Sequence, residues 1–201
     1  MWSVIKSIDR TILSSREIGI FISGGFDSTV LAAYVFKYIS ENRIDRNVVL
    51  YTVPRFDDSR VHADRVIEWL STNWPSVSFR KETVGDPTEQ HQRQVLSGIM
   101  MALSNTDVTI MLGDTKIPDE EIDGEAPNRV RSTGPRVVQP FFDYDKTVTL
   151  RLAMWLELLD DISHISHTCT ESRTLRCNKC WQCRERNWAF TKLLLIDEGT
   201  M

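Results

Sequence analysis

At 201 residues the chain is long enough to bury one hydrophobic core, with or without a small appendage. Its 41% apolar and 26% charged residues are ordinary for a globular protein, and we expect a cytoplasmic protein because no early apolar run suggests a signal peptide or membrane span. The net charge of −4, from 24 basic and 28 acidic residues, argues against a broad nucleic-acid-binding surface.

Helical and strand-like patterns alternate along the first 112 residues, after an amphipathic helix that opens the chain. The predicted strands are 17–22, 47–53, 77–84 and 107–112, and the predicted helices are 1–15, 28–40, 59–70 and 88–103. Such alternation with short connections predicts an α/β fold of the Rossmann type, with a parallel sheet and helices on both faces. The strand at 77–84 alternates apolar and polar residues, which is typical of a strand nearer the edge.

The first strand runs into a glycine pair and hydroxyl residues before the next helix begins. This turn presents free backbone N–H groups at a helix N-terminus, where the helix dipole also favours an anion. A carboxylate there suits Mg²⁺ held against phosphate oxygens. The alternative is a plain strand–turn–helix connection with a polar cap. The candidate nucleotide-binding residues are Ser23, Gly24, Gly25, Phe26, Asp27, Ser28 and Thr29, and Asp27 is also a candidate catalytic residue.

The order Ser-Gly-Gly-x-Asp-Ser in this turn resembles the loop of the ATP pyrophosphatases (PP-loop proteins), which cleave ATP between its α and β phosphates. In parallel sheets, ligands bind beyond the carboxyl ends of the strands, so the loops 23–28, 52–58 and 113–116 are expected to meet around ATP. The resemblance implies that adenine lies near the end of the second strand, against the backbone of Thr52 and Val53. Gly113 closes the fourth strand and completes the predicted site.

The pattern stops between residues 114 and 145, a stretch with four prolines that begins acidic and then turns basic. A long irregular segment in a compact domain is usually functional or disordered. One interpretation is a solvated loop, and the other is a lid that brings Lys116 or Arg136 over the phosphates. We predict an ATP-binding domain over 1–145 and a helical C-terminal segment over 146–201, with helices at 146–159 and 184–196.

All four cysteines lie within fifteen positions of the C-terminal segment, with the spacing Cys-x₇-Cys-x₂-Cys-x₂-Cys. This spacing suits tetrahedral Zn²⁺, with iron–sulfur ligation as an alternative. Disulfides are disfavoured in a chain without a secretion signal, and nothing indicates a thioredoxin-like redox pair. The predicted metal ligands are Cys169, Cys177, Cys180 and Cys183.

Residues 171–192 carry six basic and two acidic side chains, a net charge of +4. Four thiolates and one Zn²⁺ sum to −2, so these arginines and lysines are expected to neutralise the metal site rather than form a merely solvated helix face. The aromatic and aliphatic stripe of the helix that follows is expected to pack into the core. A base-stacking platform is the disfavoured alternative, since it normally accompanies an extended basic groove.

The two motifs together, followed by Arg186 and an Ala189-Phe190 pair, resemble the 7-cyano-7-deazaguanine synthases of the queuosine pathway. These enzymes convert 7-carboxy-7-deazaguanine, ammonia and ATP into the nitrile. The resemblance implies ATP, Mg²⁺ and a structural Zn²⁺ as cofactors. The implied partners are these small-molecule substrates and, for a homodimer, a second copy of the chain.

Two segments depart from that family. Gly113-Asp114-Thr115 stands where the family has Gly-x-Asn, and Pro-Arg-Phe-Asp-Asp at 54–58 stands where a Tyr-Gly-Gln-Arg-like segment is expected. These departures leave two alternatives open: a divergent PP-loop protein that acts on another substrate, and a nucleotide-binding adaptor that does not turn ATP over. A sulfonucleotide reductase or tRNA thiolase is disfavoured, because either needs a reactive cysteine outside a closed metal site.

Overall fold

The computed structural model describes residues 1–53, 59–86, 88, 91–105, 107–120, 122, 125–127, 129, 131–132, 134–172 and 174–200. The helices are α1 (Trp2–Ser14), α2 (Phe26–Asn42), α3 (Ser59–Asn73), α4 (His91–Asn105), α5 (Thr147–Trp155), α6 (Leu159–Ile165) and α7 (Trp181–Lys192), and a short 3₁₀ turn spans Glu198–Thr200. The strands are β1 (Glu17–Phe21), β2 (Asn47–Thr52), β3 (Phe79–Thr83), β4 (Val108–Met111) and β5 (Val137–Val138).

The five strands form one parallel sheet in the order β3-β2-β1-β4-β5, which confirms the predicted fold class. β1 lies at the centre, with β2 on one side and β4 on the other. The strand order therefore reverses at β1, and this is the point where ligands bind in open parallel sheets. β3 is an edge strand, as its alternating pattern predicts.

Helices cover both faces of the sheet, but they do so unequally. On one face, Ile18, Ile20 and Leu50 belong to a large core cluster that includes residues of α1, α2, α3, α5, α6 and α7. On the other face, Val49 and Ile110 belong to a smaller cluster whose helical residues come from α4. Burying an aliphatic side chain of this size contributes about 1.5–3 kcal/mol, so most of the apolar stabilisation comes from the first face.

The structure differs from the sequence predictions mainly after residue 112. The helix predicted at 146–159 is two helices, because the chain turns at Glu157, which has a φ of 61°, before α6 begins. The helix predicted at 184–196 begins earlier, at Trp181, and ends at Lys192. Leu194, predicted to pack into the core, is 93% exposed.

The large core cluster includes residues from both sides of the predicted domain boundary at 145. Leu150 and Phe190 belong to the same cluster as Val30 and Phe36. The division into 1–145 and 146–201 stays a prediction. In the part of the chain that the structure describes, no helix is both long enough and apolar enough to cross a membrane.

Candidate active site

A cavity of about 410 Å³ opens at the carboxyl ends of β1, β2 and β4. Most of the predicted nucleotide-binding residues line it, although they come from three separate loops. The predicted residues in the lining are Ser23, Gly25, Phe26, Asp27, Ser28, Thr52, Val53 and Gly113. The rest of the predicted loop 52–58 falls on residues 54–58, which lie outside the described residues.

The glycine turn after β1 has a backbone that a side chain would disrupt. Gly24 has a φ of +77°, and a Cβ on it would lie 2.6 Å from the backbone carbon of His62 in α3. Glycine alone adopts this conformation without strain and without that clash. Hydroxyls hold the turn from inside: the N–H of Gly25 donates to Ser23 Oγ at 3.2 Å, and Thr29 Oγ1 donates to the Gly25 carbonyl at 2.7 Å.

The N-terminus of α2 faces the cavity with unpaired backbone donors. In the part of the chain that the structure describes, no backbone carbonyl accepts a hydrogen bond from the N–H of Phe26, Asp27 or Ser28. The first intrahelical bond is from Thr29 N to the Gly25 carbonyl, at 3.1 Å. Open amides and the positive end of a 17-residue helix favour an anion, and a phosphate is the anion that such a turn suits best.

Asp27 is held between two groups of the segment that ends in α5. Lys146 Nζ donates to Asp27 Oδ2, and Thr149 Oγ1 donates to Asp27 Oδ1 at 2.7 Å. Lys146 lines the cavity although its side chain is only 3% exposed. The sequence prediction missed this lysine. The available signal was a charged residue that opens an apolar helix directly after a capping Asp145, whose Oδ1 accepts from Thr147 N at 2.9 Å.

The two cations predicted for the site lie elsewhere. Lys116 is exposed and pairs with Asp119 at 2.6 Å, outside the cavity lining. Its backbone N–H donates to the carbonyl of Tyr144 at 2.7 Å. Arg136 donates to the carbonyl of Leu103 at 2.9 Å and does not line the cavity. The cationic side chains in the lining are instead Arg129 and Lys146.

Asp114 adds a second carboxylate beside Asp27. Gly113, the residue before it, packs closely against the start of α2. A Cβ on Gly113 would lie only 2.8 Å from Ser28 N. Asp114 is exposed to the cavity, and the cavity walls partly desolvate its carboxyl group. This desolvation raises the pKa of Asp114, the charge of Asp27 raises it further, and the hydrogen bond from Gln139 and the charge of Arg129 act against the shift. Two neighbouring carboxylates suit a divalent cation.

Arg129 joins the irregular segment to α7. Its Nη1 and Nη2 atoms donate to the two carboxylate oxygens of Glu185, each at 2.7 Å, and Nη1 also donates to the carbonyl of Thr115 at 2.9 Å. Glu185 lies 3.4 Å from Lys146 Nζ. Burial alone would raise the pKa of Glu185, but the nearby charges of Lys146 and Arg129 hold it below its usual value.

Apolar side chains form one wall of the cavity. Phe21 and Leu112 lie at the ends of β1 and β4, and Val53 and Val95 pack against the same cluster. Such a wall suits the face of a planar base. Thr52 Oγ1 lies 3.2 Å from Thr83 Oγ1, which leaves the Thr52 side chain engaged with the neighbouring strand.

The four cysteines converge in one cluster, as their spacing predicts. Their sulfur atoms all lie within 4.8 Å of one another, and all four are free thiols. Backbone N–H groups donate to the sulfurs, from Ser172 to Cys169 at 3.3 Å and from Cys180 to Cys177 at 3.2 Å. This donor set fits a tetrahedral Zn²⁺, with Zn–S bonds of about 2.3 Å, and also an iron–sulfur cluster. The turn 169–172 contributes to the cavity wall as well.

Three of the basic residues near the cysteines pair with carboxylates, and the predicted neutralisation of the metal site stays a prediction. Arg176 and Arg186 both pair with Asp197 rather than with the sulfurs. Burial and the charge of Arg176 together lower the pKa of Arg186 to about 10, although Asp197 opposes both effects. Lys192 pairs with Glu120 on the surface, and Arg173 lies outside the described residues. These contacts fasten the end of the chain to α6 and α7.

Two protein-family models match this sequence. The family model for asparagine synthase matches residues 3–106, more than half of the chain. The chain belongs to the asparagine synthase family within the PP-loop superfamily. A second model, for queuosine biosynthesis protein QueC, matches residues 120–194, the part that carries Arg129, Lys146 and the cysteines. No curated protein matches this sequence.

One solved structure agrees on the fold of this PP-loop protein. The NMN synthetase from Francisella tularensis has a TM-score of 0.55 at 10% identity, over 99% of this chain and 88% of its own. A second similar structure is the U34-tRNA thiolase NcsA from Methanococcus maripaludis with its [4Fe-4S] cluster, with a TM-score of 0.48 at 14% identity, over 95% of this chain and 72% of its own. The first similarity shows a shared fold.

Proposed function

We propose that this protein is an ATP-dependent carbon–nitrogen ligase that adenylates a carboxylate, and that its substrate is 7-carboxy-7-deazaguanine, converted with ammonia into 7-cyano-7-deazaguanine. The observation that carries the proposal is the cavity at the sheet's reversal point, where the open amides of α2 meet Asp27 and Lys146. Membership of the PP-loop superfamily supports the use of ATP, and the match of the QueC model to residues 120–194 supports the choice of substrate.

In the first step, an oxygen of the substrate carboxylate attacks the α phosphorus of ATP. The bond from the α phosphorus to the bridging oxygen breaks, and pyrophosphate leaves with the electron pair. Negative charge grows on the leaving group, so catalysis needs fixed donors rather than a protein base. The N–H groups of Phe26, Asp27 and Ser28 would hold the pyrophosphate, with Lys146 and Arg129 as the neighbouring cations.

Ammonia then attacks the carbonyl carbon of the mixed anhydride, which releases AMP and a proton and gives the amide. For the nitrile, the amide oxygen attacks the α phosphorus of a second ATP, the bond from that phosphorus to the bridging oxygen breaks, and a second pyrophosphate leaves. Loss of AMP and of the amide protons then leaves the carbon–nitrogen triple bond. Both activations have the same stereochemical demand, an oxygen in line with the α phosphorus, so one cavity would serve both steps.

Two metals fit the residues present. Asp27 and Asp114 would hold Mg²⁺, which would neutralise phosphate charge, and the four cysteines would hold Zn²⁺ as a structural ion. The metal cluster contributes no open coordination position in this proposal. Its contribution is to fix the turn 169–172, which lines the cavity.

The test is to incubate the protein with ATP, Mg²⁺, ammonia and 7-carboxy-7-deazaguanine and to analyse the products by mass spectrometry. AMP together with the nitrile is the expected result. The variant Asp27→Ala should form neither product, while Asp45→Ala, a matched change at an exposed position, should be as active as the wild type. Wild-type product formation by Asp27→Ala would remove Asp27 from the mechanism.

A second candidate is the same adenylation chemistry on another carboxylate. It is favoured by Gly113-Asp114-Thr115, where the deazaguanine enzymes have Gly-x-Asn, because Thr115, which stands at the position of that Asn, lines the cavity. In the same assay, pyrophosphate release that depends on another carboxylate, with no nitrile from 7-carboxy-7-deazaguanine, would support this candidate. Bound but unchanged ATP would instead identify a nucleotide-binding adaptor.

A further inference from the structure

Glu185 belongs to the helix that carries Cys183 and also to the lining of the cavity. It stands on α7 two residues after Cys183, its side chain is 1% exposed, and it lines the cavity. Fully buried carboxylates are uncommon unless they are paired. In the sequence, Glu185 is simply one of two acidic residues within a basic stretch, and nothing in its spacing assigns it a role.

One carboxylate contacts both cations of the cavity. Arg129 approaches it with two nitrogens at 2.7 Å each, and Lys146 lies 3.4 Å from Oε2. A two-point contact between a guanidinium and a carboxylate fixes direction as well as distance. Lys146 also contacts Asp27, so its ammonium lies between two carboxylates.

We propose that Glu185 is a positioning residue, which holds Arg129 and Lys146 in the orientation that receives the pyrophosphate portion of the nucleotide. This inference rests on the proposed function, since it takes the cavity as the nucleotide site. If Asp27 held a cation bound to the nucleotide, Lys146 would lose one partner, and Glu185, anchored by Arg129, would keep the ammonium beside the phosphates. The two elements joined in this way, the segment around residue 129 and α7, are distant in the chain.

Simple electrostatics and positioning predict opposite outcomes when the charge of Glu185 is removed. A carboxylate close to a phosphate site repels the ligand, so its neutralisation alone would tighten anion binding. If Glu185 instead orients the two cations, its neutralisation leaves them misdirected and binding weakens. The sign of the change in affinity therefore distinguishes a positioning residue from a buried ion pair that merely lies nearby.

The experiment measures the dissociation constant of inorganic pyrophosphate for the full chain by calorimetry. Glu185→Gln, which keeps the shape and removes the charge, should weaken binding about tenfold. Glu185→Asp, which keeps the charge but shortens the reach, should also weaken it. Glu41→Gln, the same change at an exposed position on α2, should have no effect. Unchanged or tighter binding by Glu185→Gln would overturn the proposal, and weaker binding by Glu185→Asp alone would do the same.

A double-mutant cycle with Lys146→Met adds a second criterion. Because Glu185 acts in part through Lys146, the loss of binding in the double variant should be smaller than the sum of the two single losses, whereas additive losses would contradict the inference. Pyrophosphate binding needs no turnover, so a wild-type protein that binds pyrophosphate but forms no AMP would refute the proposed reaction and leave this test intact. A wild-type protein that does not bind pyrophosphate would refute both.

Discussion

The ammonium of Lys146 donates a hydrogen bond to Oδ2 of Asp27, a residue 119 positions earlier in the chain. This contact brings together the turn after β1 and the start of α5, two elements that the sequence leaves unrelated. It also places a cation at the cavity in a position that the fold fixes. Lys146 is buried, and Thr149 donates to the other carboxylate oxygen of Asp27.

Lys146→Met should lower the rate of AMP formation by about 100-fold or more, since a fixed positive charge would no longer face the leaving pyrophosphate. Lys116→Met, the lysine that the sequence favours, should change the rate little because it lies outside the cavity lining. Single-turnover assays with both variants give the comparison. The reverse order of effects would return the catalytic role to Lys116.

Gly24→Ala should abolish nucleotide binding and destabilise the protein by about 1–3 kcal/mol, because the added methyl group would meet the backbone of α3 at a left-handed φ. Gly134→Ala is the matched control. Among the residues that the structure describes, its Cβ would have only Val137 Cγ2 in ordinary contact, at 3.5 Å, so stability and binding should stay close to the wild type. Thermal melting with and without ATP checks both variants. Wild-type stability and ATP binding in Gly24→Ala would mean that the turn tolerates a side chain and does not need glycine at this position.

Cys183→Ser should reduce the metal content from about one Zn²⁺ per chain and lower the melting temperature. Cys183 is buried, so the loss of one ligand leaves three thiols without a closed site. Metal analysis by mass spectrometry measures the effect, and visible absorption distinguishes an iron–sulfur cluster from zinc. Full metal content in this variant would show that the four thiols do not act as one ligand set.

Asp114→Asn should stabilise the protein at neutral pH while it weakens Mg²⁺-dependent turnover. Because partial desolvation by the cavity walls raises the pKa of Asp114, the folded state loses stability as the pH rises from the ordinary pKa of an aspartate through the raised one. The advantage of the variant should therefore shrink as the pH falls toward the ordinary pKa of an aspartate, where the wild-type group is protonated in both states. Chemical denaturation at several pH values measures this difference. A variant that is less stable at neutral pH would contradict the expected sign.

Asp197→Asn should destabilise the protein by about 3–5 kcal/mol, since Arg176 and Arg186 would share a buried site without a counter-charge. Burial would raise the pKa of Asp197, but the two arginines hold it below its usual value. The stabilisation is therefore present above the ordinary pKa of an aspartate and is lost as the pH falls through the lowered one. Urea unfolding from neutral to acidic pH should show the difference from wild type narrowing. Asp45→Asn, at an exposed position, should match the wild type throughout.

Strands β1, β2 and β4 were predictable from the sequence because they are largely buried on both faces and read as apolar runs. β3 was predictable from its alternation, whereas β5, which is two residues long, was not predicted. The turn at 23–28 was predictable because its chemistry is local: two glycines and a carboxylate lie between a strand and a helix. The cysteine cluster was predictable for the same reason, since short spacing alone brings the four sulfur atoms together.

Lys146, Arg129 and Asp114 were harder to assign because each acts through a partner far away in the chain. Lys146 reaches Asp27 across 119 residues and Arg129 reaches Glu185 across 56. No periodicity marks such pairs. The helix break at Glu157 was missed because a non-glycine residue adopts a left-handed conformation there, which local patterns do not predict.

The turn 169–172 belongs both to the sulfur cluster and to the wall of the cavity. Loss of the ion from part of a preparation would therefore create two populations of the protein, which differ in the cavity wall that the substrate meets. Binding isotherms from such a preparation would be biphasic, with the weaker phase growing as the ion is stripped. Air oxidation of the thiols would produce the same mixture. The affinity for substrate therefore reports indirectly on the integrity of the sulfur cluster.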